Sequence, residues 1–579
     1  MAAAPHEDTQ SPRVTKEIAL DHDHPLLYAT LLLISSLALC APLLRYGAPY
    51  GADSESALMW THGFATQLSQ GDWYPRWLMD INRGAGSAVF YFYAPLPFYI
   101  GSLVAALLPH QSLNIQLAWT DWVLLLSSGI TFFGCARCRV SNRHALIASV
   151  LYMMLPYHFE TDLWIREDLG ELTNYIWMPL VFHFTDRIVG DRDRRTVAWL
   201  SVSYALMVLS HLPSTLLVSM CLAIYLIIRV IIVESALPLI RFVQAIAIGT
   251  LASGIYWVPA IFSQQNIHAE AWWSWYYDFH LWFFPVRSLD AFKGDVGTRS
   301  FNIRQFWVIS ATTVMFSIFW LAAWRRGSLH DKHGLIGCAF FVGVAWFLMT
   351  PISSFIWEAF PPLAKVQFPS RLGMVVDLGT AVVASTAFPQ NWGREWRFTA
   401  AGSAAFMLLI ACIATADLKT LLDPFNDPKL VAIRDDRVRN GVDAPEYTTR
   451  WSPFDPNSND NSLYLEGVNR LSYDTFAGTI STTSWRPRQI IVSVLLQRTT
   501  MLTVRQFYFP YWRAKIINGA SLRLLPGQAT GLINVTLPPG NYSVSLKLEP
   551  SLQERLGEIA SCIGILMIGA MCRTADASK

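Results

Sequence analysis

The sequence predicts a polytopic α-helical membrane protein of about twelve transmembrane helices, the last of which follows a C-terminal extracytoplasmic all-β, sandwich-like domain. Three observations carry this. Of the 579 residues 53% are hydrophobic and only 15% charged, with a mean hydropathy of +0.32, whereas soluble chains hold about 25% charge. The apolar residues gather in blocks of roughly 17–22, the length that crosses a bilayer. Arg and Lys collect in short loops, the asymmetry that sets membrane orientation. The net charge of +2 and the lack of a basic block give no reason to expect a nucleic-acid partner.

In chain order, residues 1–25 are polar and include HEDTQ and DHDH. They lack the apolar core and cleavage site of a secretory signal and read as a cytoplasmic tail. The first span is LLYATLLLISSLALCAPLL at 26–44; others are expected near 116–135, 144–157, 172–189, 196–212, 214–233, 239–261, 304–324, 334–351, 372–388, 398–416 and 556–572. The loops RCRVSNRH, DRIVGDRDRR, RRGSLHDKH and NWGREWR hold the clustered arginines. With twelve spans, all four loops and both termini fall on the cytoplasmic side. The apolar run 89–108 contains Pro95 and Pro97, which interrupt a helix. Letting it cross would invert every later loop, so it reads as a helix at the outer interface or a partial insertion.

The extracytoplasmic face then receives 45–115, 158–171, 262–303, 352–371 and 417–555. Residues 26–416 form the transmembrane domain, with 45–115 as a large first outer loop. Residues 417–555 form the β-rich domain, since RQIIVSVLLQ, TMLTVRQFYF, GLINVTL and NYSVSLKL alternate with NGA, PGQ and PPGN turns. Residues 556–579 supply the final helix and a short tail. The eight cysteines avoid the long polar segments and suggest neither a disulfide framework nor a zinc site. P-loop, dinucleotide, zinc-protease and serine-hydrolase motifs lack a convincing context.

Chemistry concentrates in two outer segments. Asp53 and Glu55 follow the first span, where carboxylates are costly unless paired, solvated or used. Between Tyr157 and Leu172 the chain places Glu160, Asp162, Glu167, Asp168 and Glu171 beside a single cation, Arg166. If the middle of this stretch is helical, Glu167 and Glu171 share a face, and like charges so close repel. Arg166, a protonated carboxyl, or a divalent Mg²⁺ or Mn²⁺ held by Asp53 and Glu55 would relieve the repulsion; a hydrated loop is the bland alternative. Weaker candidates for substrate contact are His62, Arg76 among the aromatics of GDWYPRW, His211 at a span end, Glu270 in an aromatic segment, and Gln367 and Arg371 in KVQFPSRLG. Asp121 and Asp377 fall inside spans.

Several stretches together resemble a bacterial membrane family labelled "6-pyruvoyl-tetrahydropterin synthase-related": Asp53, His62, GDWYPRW at 71–77, GAGSAVFYFYAPLPFY at 84–99, YHFETDLWIREDLGE at 157–171, SHLPS at 210–214, YWVPAIF at 256–262, VQFPSRLG at 366–373 and QFYFPYWRAKIINGA at 506–520. The label implies no pterin chemistry. The family is similar to the GT-C glycosyltransferases. That resemblance implies a GT-C-like fold in the bacterial inner membrane and a polyprenyl-phosphate-linked sugar donor. It also implies transfer on the outer face to a glycan, lipid or protein acceptor. Carried over, Asp53 would be the base or a metal ligand, assisted by Glu167, Asp168 or Glu171. The Asp-Ser-Glu at 53–55 departs from the Asp-Glu pair of some relatives and leaves the part of Glu55 open. Two rivals stand beside this reading: a transporter or flippase of lipid-linked sugars, for which Asp121 and Asp377 speak, and a non-catalytic scaffold for envelope assembly.

Overall fold

The structure, a computed structural model, describes residues 25–273, 275–285, 289–327, 329–388, 438, 441, 443–453 and 468–574. The apolar blocks form helices, broken where proline, glycine or polar residues intervene. Helix α1 (Pro25–Tyr46) leads into α2 (Ser54–Ser69). The run 89–108 divides into a single turn, Val89–Phe92, and α3 (Leu96–Leu107), with a break at Tyr93–Pro95. Twelve helical residues span about 18 Å, too short for a hydrocarbon core of about 30 Å.

A bundle follows: α4 (Leu113–Ala136), α5 (Asn142–Met154), α6 (Leu169–Gly190), α7 (Arg194–Ser210), α8 (Leu212–Val233), α9 (Leu237–Ala252), α10 (Gly254–Phe262), α11 (Val296–Arg326), α12 (Leu329–Leu348) and α13 (Gly373–Ala387), with α14 (Leu552–Thr574) closing the chain. Among the described residues five helices are long and apolar enough to cross a membrane: α1, α4, α8, α11 and α14. Two more crossings result if each bent pair is one span, α9 with α10 (75°) and Lys332–Leu348 with Pro351–Ala359 (84°). The sequence suggests about twelve crossings; five to seven candidates meet the test. The difference lies in α5, α6, α7 and α13. They form where expected but are too short or too polar, and α6 and α13 are mostly enclosed by other helices, so their residues need not satisfy lipid. The span expected at 398–416 and the tail at 1–24 lie outside the described residues.

Successive helices alternate in direction, so the loops near Arg139, Asp191 and Arg326 gather at one end. There Asp186 binds Arg139 (2.7 Å) and Arg229. The other end carries Asp53, the stretch after α5, and His211.

At that second end the described residues include nine strands in two antiparallel sheets, ordered β1-β4-β8-β7 and β2-β3-β9-β5-β6. They are β1 (Leu471–Ser472), β2 (Gly478–Arg486), β3 (Gln489–Leu496), β4 (Thr500–Phe507), β5 (Trp512–Ile516), β6 (Ser521–Leu522), β7 (Leu524–Pro526), β8 (Leu532–Leu537) and β9 (Gly540–Leu548). Alternation along β3 turns Ile490, Val492, Val494 and Leu496 inward. Their core also takes in Trp77, Ala85 and Tyr91 from the loop after α2. Gln506 fastens the two parts: its Oε1 accepts from Trp77 Nε1 (2.8 Å), and its Nε2 donates to the carbonyls of Met79 (2.9 Å) and Gly84 (2.8 Å). Gly86 (φ +84°) permits this close approach, since a Cβ there would sit 2.4 Å from Trp77 Nε1.

Candidate active site

The acidic stretch does not continue as an α-helix. Tyr157–Arg166 winds as a π-helix, a form frequent at functional sites. Its first N–H groups are capped from another helix: Asp377 Oδ2 accepts from His158 N–H at 2.9 Å, and its carboxylate also takes the Tyr157 N–H. An acid inside a span thus serves as a helix cap. The π-helix ends at Glu167, whose φ of 58° is left-handed. Asp168 then starts α6, its Oδ1 accepting from Glu171 N–H at 3.1 Å. This reversal separates two residues that the sequence places on one helical face. Glu167 faces Asp121 of α4, one buried carboxyl against another, while Glu171 turns toward two arginines.

Arg166 is the hub. Its Nη1 donates to Asp162 Oδ1 (3.1 Å) and Glu171 Oε1 (2.9 Å), and its Nη2 to Asp168 Oδ2 (2.7 Å). Arg371 approaches from the start of α13, with Nε 2.6 Å from Glu171 Oε1 and Nη2 3.9 Å from Asp168 Oδ2. The Val366 carbonyl braces it, accepting from Nη1 at 2.8 Å. Arg304 of α11 pairs with Glu160. The stretch that shows five acids and one arginine in sequence thus meets two further arginines in the fold, Arg304 and Arg371. Burial alone would raise the Asp168 carboxyl, but His211, Arg166 and Arg371 override it and hold it below the usual range.

Asp53 is brought to this hub through the backbone. Ala52 N–H donates to Ile165 O (2.9 Å) and Asp53 N–H to Arg166 O (2.8 Å). Gly51 permits the approach, since a Cβ there would meet Arg166 O at 2.9 Å. Asp53 Oδ2 stands 4.0 Å from Arg166 Nη2, and its side chain is 53% exposed, against 0–3% for Asp162, Asp168 and Glu171. Protein nonetheless surrounds it, the situation of a group on a cleft wall. Those surroundings push its carboxyl up to about 6; Arg166 and Arg371 oppose the shift and Asp168 adds to it. Tyr93, Tyr276 and Tyr277 all lie within its field.

His211 joins α7 to α8. Ser214 N–H donates to its Nδ1 at 3.4 Å, and Ser214 Oγ lies 2.7 Å from the same nitrogen. Burial pushes its pKa down to about 3, so the ring is neutral at pH 7 and the hold on Asp168 falls to the guanidiniums. Asp168, Glu171 and His211 each offer a ligand atom, all within 4.8 Å of one another. A cation bound there would meet two oxygens and a nitrogen, a set better matched to Mn²⁺ than to Mg²⁺, and would share both carboxylates with Arg166 and Arg371.

The other residues singled out in the sequence lie elsewhere. Glu55 Oε1 accepts from the Tyr50 hydroxyl at 3.1 Å. His62 is exposed on α2, about 12 Å along the helix from its start. Arg76 is buried in an ion pair with Glu554 of α14 (3.1 Å), stacks on Tyr74 and donates to Ile255 O (2.8 Å); this ties the first loop to the last helix. Glu270 is largely exposed, 2.8 Å from His268 Nδ1. Gln367 is half-buried with φ +70°, in the turn that Arg371 closes. Sequence reading overlooked Arg304 and Glu446, each distant in the chain from the acids it joins. It counted Asp162 among the acids but gave it no role of its own, although the spacing of four from Arg166 was a usable signal.

The comparisons with known proteins come to three findings. Residues 90–420 match the family model "6-pyruvoyl-tetrahydropterin synthase related domain; membrane protein". Among solved structures, ArnT from Cupriavidus metallidurans bound to undecaprenyl phosphate aligns at 12% identity and a TM-score of 0.39, covering 72% of this chain and 74% of that one. The apo form of that protein aligns at 12% identity and 0.28, covering 64% and 78%. Both scores are low, and nothing about function follows from them. No curated protein matches. The matched segment holds the acidic stretch, His211 and Arg371, while Asp53 and the strands fall outside it. With more than half of its length in that match, the chain belongs to the 6-pyruvoyl-tetrahydropterin synthase related family of membrane proteins.

Proposed function

We propose that this membrane protein is a glycosyltransferase that moves a sugar from a polyprenyl-phosphate donor to a hydroxyl of an extracytoplasmic acceptor, with its site on the outer face of a bacterial inner membrane and both termini inside. The observation that carries the reading is the convergence of Asp53 on Arg166: one half-open carboxylate held against a buried cluster of acids and arginines at the end of the bundle. Such a carboxylate can take the proton of an acceptor hydroxyl. The acceptor oxygen then bonds to the anomeric carbon, the bond from that carbon to phosphate oxygen breaks, and the polyprenyl phosphate leaves with its charge. Arg371 and Arg166, or a cation on Asp168, Glu171 and His211, would stabilise that charge. The orientation is supported by the arginines gathered at the opposite end of the helices. The rival transporter reading loses part of its support, since Asp377 caps the π-helix.

The test is turnover in reconstituted vesicles supplied with polyprenyl-phosphate sugars and a membrane glycan extract. Sugar transfer by the wild type that is lost in Asp53→Asn supports the reading. Translocation of the lipid without transfer would replace it with the flippase, and neither activity with the scaffold.

A further inference from the structure

The segment 443–450 carries no motif recognisable in the sequence, yet it is sewn tightly into the cleft. Asp443 Oδ1 accepts from Trp60 Nε1 (2.9 Å) and Ala444 N–H (2.9 Å), its Oδ2 accepts from Ser87 Oγ, and its own N–H donates to Asn82 Oδ1 (2.8 Å). On the other side Thr449 bridges Ile267, and Arg450 N–H donates to Asn266 O (3.0 Å). This strap holds Glu446 and Tyr447 between α2 and the aromatic segment 269–284.

Glu446 is 7% exposed, and among the described residues its Oε2 has no hydrogen-bond partner. A buried carboxylate oxygen without a donor is costly and asks for a ligand. Burial, then Asp443 and Asp53, push its carboxyl up to about 7, and both Glu446 and Asp53 act on Tyr277. The surroundings of Glu446 are aromatic: Tyr447 lies edge-on to Tyr93 (6.2 Å) and Trp272 (6.4 Å), and Tyr93, which also lies within the field of Asp53, reaches His211 (6.5 Å). Carboxylates that accept from hydroxyls, set among aromatic faces that cover C–H surfaces, suit a polyhydroxylated, uncharged ring.

We propose that Glu446 is a specificity-determining residue that accepts a hydrogen bond from a saccharide hydroxyl in the Asp53 cleft. This rests on the glycosyltransferase reading and names the part of the substrate that the strap recognises. The saccharide is either the sugar of the donor or that of the acceptor. Reconstituted protein is titrated with bare undecaprenyl phosphate, with undecaprenyl phosphate carrying glucose, mannose or galactose, and with the methyl glycosides of the same sugars. For the wild type at least one sugar-bearing probe should bind about tenfold better than its sugar-free counterpart or its epimers. A preference among the lipid-linked probes assigns the donor sugar, and one among the methyl glycosides the acceptor. In Glu446→Gln that preference should vanish while affinity for bare undecaprenyl phosphate stays unchanged. A preference kept in E446Q, an equal loss for bare lipid, or no preference in the wild type overturns the proposal. Should E446Q not fold, Glu446→Asp keeps the charge at a shorter reach and must shift the preference by the same criteria. Binding without turnover would defeat the transferase reading alone; turnover with an unaltered sugar preference in E446Q would defeat this one alone.

Discussion

Replacing Arg166 by lysine should destabilise the protein and make its stability fall more steeply with rising pH. The guanidinium uses two nitrogens, Nη1 for Asp162 and Glu171 and Nη2 for Asp168. An ammonium is one point of charge and cannot stand at both positions. At least one charge-assisted bond is lost, at about 1.5–3 kcal/mol each, and a buried acid is left short of its partner. A net cost of about 3 kcal/mol results, within the range for breaking buried pairs. The pH sign can be worked out from Asp168. In the wild type its pKa is held below the usual value, so its contribution is present above about pH 4 and is lost as pH falls through the folded pKa. With Arg166 replaced, Asp168 loses part of that hold, and Asp162 and Glu171, which burial already raises, rise further, so stability falls more steeply than in the wild type as pH rises above about 4. The assay is thermal unfolding in detergent between pH 4 and pH 8, for wild type, Arg166→Lys and Arg166→Lys/Glu171→Gln. The double variant should regain about 1–2 kcal/mol, because an amide no longer needs the missing charge. An Arg166→Lys protein with wild-type stability, or damage from Glu171→Gln that simply adds, would refute the account.

Asp53→Asn should leave the melting temperature nearly unchanged, because the side chain is half exposed, yet lower sugar transfer by about 10²–10⁴. The wild-type rate should fall as pH drops below about 6, where Asp53 takes up a proton and ceases to be a base, and that limb should be missing from Asp53→Asn. Arg76→Met should cost about 3–5 kcal/mol by stripping Glu554 of a buried partner, with KM for the donor unaltered, since Arg76 binds the last helix and not the cleft. Asp121→Asn can donate to the Glu167 carboxyl it faces and should not lower the melting temperature, whereas Asp121→Leu sets an apolar group against that carboxyl and should cost about 1–3 kcal/mol, read by the same thermal assay.

Much of the helical frame was legible because apolar blocks and their polar breaks are local. The β region was legible because alternation in RQIIVSVLLQ and NYSVSLKL needs no knowledge of neighbours. The number of crossings was not, since α5 and α13 are 13 and 15 residues long and mostly enclosed by protein. Hydropathy cannot distinguish a helix enclosed by protein from one bathed in lipid.

The acids were legible as a group, but their partners were not. Glu160 is balanced by Arg304, 144 residues away, and Glu171 by Arg371 from another helix. Within the stretch, one left-handed residue decides the outcome: if Glu167 stayed helical, Glu167 and Glu171 would share a face and repel. Its positive φ sends one to Asp121 and the other to the arginines. An α-helical period is the wrong ruler for a π-turn that ends in a reversal. Left-handed glutamate carries a steric cost of about 1–3 kcal/mol, one that a chain avoids unless the surrounding contacts enforce it. Here they do: Asp377 fixes the start of the π-helix, Asp168 caps α6 directly after it, and Ala52 and Asp53 bond across its last turn. The conformation that hides three carboxylates beneath Arg166 is thus the same one that offers its last two carbonyls to the chain bearing Asp53. A valine at 167 should therefore cost clearly more than a glycine, since both lose the side chain and only glycine accepts the reversal; if Glu167→Val matched Glu167→Gly in thermal unfolding, the backbone reversal would not be what assembles the cleft.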